Sequence, residues 1–145
     1  MKFPIRIRQE ENELILDAVP AFAIVLNYRV LDTVRGQSVE EVEQKTKKLL
    51  SDTLHRFILA DEYVGLPRML SIYQKSELQV AEHNKIWTTV DIEVDDLALP
   101  VEQASVTLPA DLIKKLQSMA STIDSSVDMM LTVLLAHTRA EYKKD

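Results

Sequence analysis

Apolar and polar side chains alternate along Phe3-Pro4-Ile5-Arg6-Ile7-Arg8, give way to the polar Gln9-Glu10-Glu11-Asn12, and resume at Leu14, Ile15, Leu16 and Val19. Side chains on a strand point to opposite faces in turn, so this pattern predicts a hairpin. Pro4 near the start predicts an edge position, where a missing N–H takes no ladder bond away. From Phe22 to Val34 the chain is rich in Ile, Val, Leu and Tyr and stops at Arg35-Gly36-Gln37. A third strand is predicted there, although the run Phe22 to Leu26 fits a buried helix equally well.

Ser38-Val39-Glu40-Glu41 carries the spacing of a capping box and starts a helix. Its buried stripe is Val39, Val42, Leu49, Leu50, Thr53, Leu54, Phe57 and Ile58, with Glu41–Lys45 and Glu43–Lys47 as outward pairs one turn apart. Past Gly65-Leu66-Pro67 the pattern is mixed, and irregular structure with a helical turn near Ser76 to Ala81 is expected. Ile86 to Val94 alternates again, with Ile86, Thr88, Val90, Ile92 and Val94 on one face and Asp91, Glu93 and Asp95 on the other.

The chain then changes character. Ala104, Val106 and Leu108 share one face of a short strand, and Gln103, Ser105 and Thr107 share the other. Pro109 ends that strand and opens a helix in which Leu112, Ile113, Leu116, Met119 and Ala120 recur at helical spacing. Ser125-Ser126 can cap a further helix carrying Val127, Met130, Leu131, Leu134, Leu135 and Thr138. A strand and two short helices bury too little alone, which predicts pairing with a second copy.

Strand, Leu-Pro, leucine-bearing helix and serine-capped helix together resemble the ribbon-helix-helix family of DNA-binding dimers. The resemblance implies a two-stranded ribbon in the major groove. On it Gln103, Ser105 and Thr107 are candidate base readers, Lys114 with Lys115 a candidate phosphate contact, and the backbone around Ser126 a candidate phosphate clamp. The whole order of landmarks resembles the HicB family of antitoxins: Phe3-Pro4, Arg35-Gly36-Gln37-Ser38-Val39-Glu40-Glu41, Trp87 to Val94, and Val106-Thr107-Leu108-Pro109.

That resemblance implies an α+β fold. A small antiparallel sheet with one packed helix (βββαβ, partly ribonuclease-H-like) spans residues 1–96, a linker spans 97–102, and a ribbon-helix-helix dimerisation and DNA-binding domain spans 103–145. It also implies a function without catalysis, in which the body occludes a small HicA-like mRNA-cleaving toxin and the tail represses its own operon. The expected partners are the toxin, operator DNA and a second copy, with further pairing into tetramers left open. The alternative is a ribbon-helix-helix repressor whose body senses a ligand or another protein. Two departures from the family pattern stand out: the longer stretch Ala21 to Val34 after Val19-Pro20, and Asp124 and Asp128 where a basic residue is usual.

Composition narrows the chemistry. There is no cysteine, and only Gly36 and Gly65 are glycines, so thiolate chemistry, Cys-type zinc sites and glycine-rich phosphate loops are excluded. His55, His83 and His137 stand apart with no ligand spacing, and no cofactor, metal or catalytic residue is expected. The charged start and the lack of an apolar run of membrane length lead us to expect a cytoplasmic protein. Net charge is −6, and residues 101–145 hold 5 Lys/Arg against 6 Asp/Glu. Phosphate neutralisation supplies much of DNA affinity, so a tail of this charge is expected to bind DNA weakly or with help.

Overall fold

A computed structural model describes residues 1–23, 25–60 and 84–142. It shows a four-stranded antiparallel sheet with helices packed on it. The strands are β1 (Lys2–Glu10), β2 (Glu13–Ala18), β3 (Arg35–Gly36) and β4 (Lys85–Asp91), in the order β3-β2-β1-β4. The helices are α1 (Tyr28–Leu31), α2 (Val39–Ala60), α3 (Ala110–Thr122) and α4 (Val127–Tyr142), with 3-10 turns at Pro20–Phe22 and Val94–Leu97. The helical turn expected near Ser76 to Ala81 lies outside the described residues.

The β1–β2 hairpin forms as the alternation requires, but β1 is a central strand, paired with β2 on one side and β4 on the other. Pro4 is tolerated there for a local reason. Ile92 N–H donates to Met1 C=O and Gln9 N–H to Asn84 C=O, so odd residues of β1 turn their amides toward β4. The missing amide of Pro4 therefore faces the β2 side, beyond Ala18, where β2 has already ended. The pairing also slips by one residue, from Arg6 opposite Ala18 to Ile7 opposite Leu16, leaving Asp17 as a bulge.

The long third strand expected over Phe22 to Val34 is corrected to a turn, a short helix and a two-residue strand. Pro20 opens the 3-10 turn, and the Asn27 side chain accepts from the backbone N–H groups of Arg29 and Val30, capping α1. Phe22 and Leu26 are buried all the same, and the Phe22 ring meets Phe3 at 5.4 Å between centroids.

Helix α2 begins as its sequence predicts, with Glu41 N–H donating to Ser38 Oγ at 3.1 Å. The returning bond is displaced by one residue, since the Glu41 carboxylate accepts from Gln37 N–H at 2.9 Å. Lys45 pairs with Glu41 at 3.2 Å as expected. The pairing of Glu43 with Lys47 is corrected: Glu43 accepts from Thr88 Oγ1 at 3.0 Å, and Lys47 reaches Asp96 at 3.4 Å. Both bonds tie α2 to β4 or to the turn after it, which an exposed helix pair could not do.

One core runs through the molecule. Phe3, Ile5 and Ile7 of β1, Leu16 of β2 and Val90 of β4 face Val42, Leu50 and Leu54 of α2. The same cluster takes in Ile123, Met129, Met130 and Val133 from the end of the chain. Among the described residues no single helix is long and apolar enough to cross a membrane.

Candidate nucleic-acid interface

Where the chain leaves the body it turns at Ala98, whose φ of 54° lies in the left-handed region that few alanines occupy. Residues 99–109 then run without regular structure. The expected strand at Ser105 to Leu108 has no neighbour to pair with in a single chain. Among the described residues, no hydrogen bond engages the backbone of residues 99–108. Gln103, Ser105 and Thr107 are all exposed, and so is Val106, at 77%.

Helix α3 starts after Pro109, whose C=O accepts from the N–H groups of Leu112 and Ile113. Its apolar stripe was expected to be buried. In the isolated chain Ala120 is buried and Leu116 half-buried, whereas Leu112, Ile113 and Met119 remain 46%, 41% and 48% exposed. The reason is geometric: α4 packs against α2 and the Val94–Leu97 turn, so α3 is left with little of the body beside it. Lys114 and Lys115 are exposed on α3.

The turn between the helices is closed by the backbone. Asp124 adopts φ 49°, and the N–H of Ser125 donates to Ala120 C=O at 2.8 Å, the six-to-one bond of a left-handed helix terminus. Asp tolerates this conformation better than most side chains, which accounts for an acid at this position. Ser126 caps α4 as expected, its Oγ accepting from Met129 N–H at 3.1 Å.

Ser126 is exposed, but its hydroxyl is engaged. Its hydroxyl donates to Glu93 Oε2 at 2.6 Å. The other carboxylate oxygen of Glu93 accepts from the Met1 α-ammonium at 2.8 Å, and Glu93 N–H donates to Asp96 Oδ2 at 2.8 Å in a capping box of the 3-10 turn. Met1 also donates to Asp91 Oδ1 at 3.0 Å. Burial pushes the Asp91 carboxyl up, and the hydrogen bond and charge of that ammonium outweigh it and bring it below the ordinary range. One residue further along, the N–H of Lys2 donates to Asp124 C=O at 3.2 Å, so the interhelix turn covers the stretch of β1 that β2 leaves unpaired.

Glu93 was expected on the outer face of a strand beside Asp91 and Asp95. The strand ends at Asp91, and Asp95 lies in the 3-10 turn. The role of Glu93 could not be read from spacing, because its partner Ser126 is 33 residues away. A second polar cluster was also missed. On the outer sheet face Asp17 accepts from Arg6 Nε at 2.5 Å and Lys85 Nζ at 2.7 Å, with Arg8 Nη1 at 3.4 Å. Arg8 continues to Asp32 at 2.9 Å, and the Arg6 guanidinium lies over the Trp87 ring at 5.5 Å. The alternating Arg6 and Arg8 were the visible signal, and the bulge that aims Asp17 between them was not.

The structure thus leaves Gln103, Ser105 and Thr107 on one exposed segment without regular structure and Lys114 on the helix that follows. It places Ser126 apart from them, against the body. Comparison with protein-family models, with curated proteins and with solved structures returns no match.

Proposed function

We propose that this chain is an antitoxin of the HicB type. Residues 1–96 cover a small HicA-like mRNA-cleaving toxin by occlusion, and residues 103–145 pair with a second copy into a ribbon-helix-helix that represses its own operon in the cytoplasm. No chemistry is assigned to the chain itself. The observation that carries the proposal is the state of residues 99–119: an exposed segment of alternating sequence with an unengaged backbone, followed by a helix with an exposed leucine and isoleucine face. Free ladder groups beside exposed apolar side chains are the signature of an edge that a second chain completes. In such a pair Val106 and Leu108 face the helices, and Gln103, Ser105 and Thr107 face outward toward base edges. The toxin half of the proposal rests on the order of landmarks along the whole sequence.

Two experiments test the two halves. The open reading frame adjacent to this gene is expressed with and without this protein: growth arrest relieved by co-expression supports the toxin half, and a neighbour harmless on its own overturns it in favour of a repressor with a sensing body. A duplex taken from the DNA preceding the gene is expected to bind in preference to an unrelated duplex at low salt. Thr107→Ala is expected to reduce that preference by about tenfold, the size of one lost base contact, while leaving the dimer intact. Loss of the dimer in Thr107→Ala would instead make the segment structural.

A further inference from the structure

The end of the tail that meets phosphate in the proposed DNA complex is already engaged by the body. A serine hydroxyl has one proton to donate. That of Ser126 goes to Glu93 Oε2 at 2.6 Å, while its oxygen accepts from Met129 N–H. A phosphate oxygen arriving at this place meets a carboxylate, and the hydroxyl has no second proton to offer it.

Glu93 is itself held by its surroundings. The capping box with Asp96 fixes its backbone and side chain at the start of the 3-10 turn, and Met1 holds its other oxygen. The turn before Ser126 is held independently, through Asp124 C=O and the N–H of Lys2. Behind both contacts Met129, Met130 and Val133 are fully or almost fully buried, and Ile123 is buried on the turn itself. Three separate kinds of contact thus hold one short segment, Ile123 to Val133, against the body. By contrast, residues 99–108, which join this segment to the body in the chain, make no backbone hydrogen bond among the described residues. The connection can move while the contact holds or opens.

We propose that the contact of Glu93 with Ser126 is an autoinhibitory latch: it keeps the start of α4 from DNA phosphate, and DNA engagement requires the turn at Asp124 to Ser126 to leave the body while Met129, Met130 and Val133 stay in the core. The proposal rests on the DNA-binding reading of the tail and adds its regulation. A partner that grips the body around β4 and the Val94–Leu97 turn then sets how readily the tail binds DNA.

The test uses the full chain and a 30-base-pair duplex from the DNA preceding the gene. Glu93→Ala removes the competing carboxylate and is expected to tighten duplex binding by about tenfold, in line with one charged hydrogen bond no longer competing. Glu93→Gln, which keeps an acceptor oxygen but not the charge, is expected to fall between. Adding Ser126→Ala to Glu93→Ala is expected to abolish the gain. Asp96→Asn weakens the capping box that holds Glu93 but keeps an acceptor oxygen and the Glu93 carboxylate, and is expected to give a gain well below that of Glu93→Ala; a gain equal to that of Glu93→Ala overturns the latch in favour of general loosening.

If the native chain binds the duplex and Glu93→Ala and Glu93→Gln bind it no better, the latch is wrong and the DNA reading stands. If neither native chain nor variants bind at low salt, the DNA reading fails and the latch with it. A measurement on the native chain covers variants that fail to fold. Saturating duplex is expected to speed hydrogen exchange at the Lys2 amide several-fold as Asp124 leaves it, and an unchanged rate in the bound state overturns the proposal.

Discussion

At the scale of single residues, Asp17 carries the largest consequence. Three cations, from Arg6, Arg8 and Lys85, converge on one carboxylate that is 13% exposed. Burial pushes its carboxyl up, but the hydrogen bonds and charges of Lys85 and Arg6 outweigh burial and hold it below the ordinary 3.8. A carboxylate depressed by folding contributes stability in full above its unfolded value and loses it as pH falls through the folded one. Asp17→Asn is therefore expected to destabilise by about 2 kcal/mol at neutral pH, the size of hydrogen bonds to charged groups discounted for partial exposure. The gap between native chain and variant in urea unfolding is expected to be constant down to about pH 5 and to close below pH 4. A gap that persists at lower pH would assign the loss to packing. Ser38→Ala acts through a simpler cause, loss of the cap that holds Glu41 N–H, and is expected to cost about 1 kcal/mol in the same measurement.

At the scale of elements, the split between α3 and α4 decides what the tail can do. Helix α4 has two faces. Met129, Met130, Val133 and Ala136 are buried, while Leu135 on the other side is 66% exposed and Leu131 and Leu134 are half-buried. The helix can therefore hold the body with one face and leave the other, with Leu112, Ile113 and Met119 of α3, for a second copy. Leu112→Glu places a charge in that proposed seam and is expected to convert the dimer to a 16.5 kDa monomer in sedimentation. A dimer that survives the substitution, or a native chain monomeric throughout, overturns the pairing of tails.

These elements also show what sequence can and cannot disclose. The hairpin, the capped start of α2, the strand leading to Asp91 and both tail helices were legible, because each is written in a local period or a cap within four residues. The stretch after Pro20 was misread because β-branched and aromatic side chains favour strands while Asn27 and Pro20, two local polar and steric signals, decided otherwise. Of the candidate interface, the alternation of Gln103, Ser105 and Thr107 with Ala104, Val106 and Leu108 is legible in the sequence, but in the single chain both sets are exposed. The engagement of Ser126 by Glu93 was not legible, since it joins residues far apart in the chain through a fold that no periodicity describes.

For the whole molecule, the shared core sets a limit on treating body and tail as separate parts. Met129, Met130 and Val133 join the cluster built by Phe3, Ile5, Leu16, Leu50 and Leu54. Each fully buried side chain of this size is worth about 1.5–3 kcal/mol against exposure. Three of them together amount to about 5–9 kcal/mol, which approaches the 5–15 kcal/mol net stability of an ordinary domain. A chain ending after Asp96 loses them, and the buried Leu97 with them, and leaves the facing side of α2 bare. Such a truncation is expected to unfold well below the melting temperature of the full chain and to expose apolar surface to a fluorescent dye. Met130→Ala in the full chain is expected to reproduce part of the loss, about 2–5 kcal/mol, because the cavity it leaves lies in the same cluster. Should the truncated body instead melt where the full chain does, α4 contributes nothing to the body, and the latch at Glu93 would lack the packing that makes its opening a regulated step.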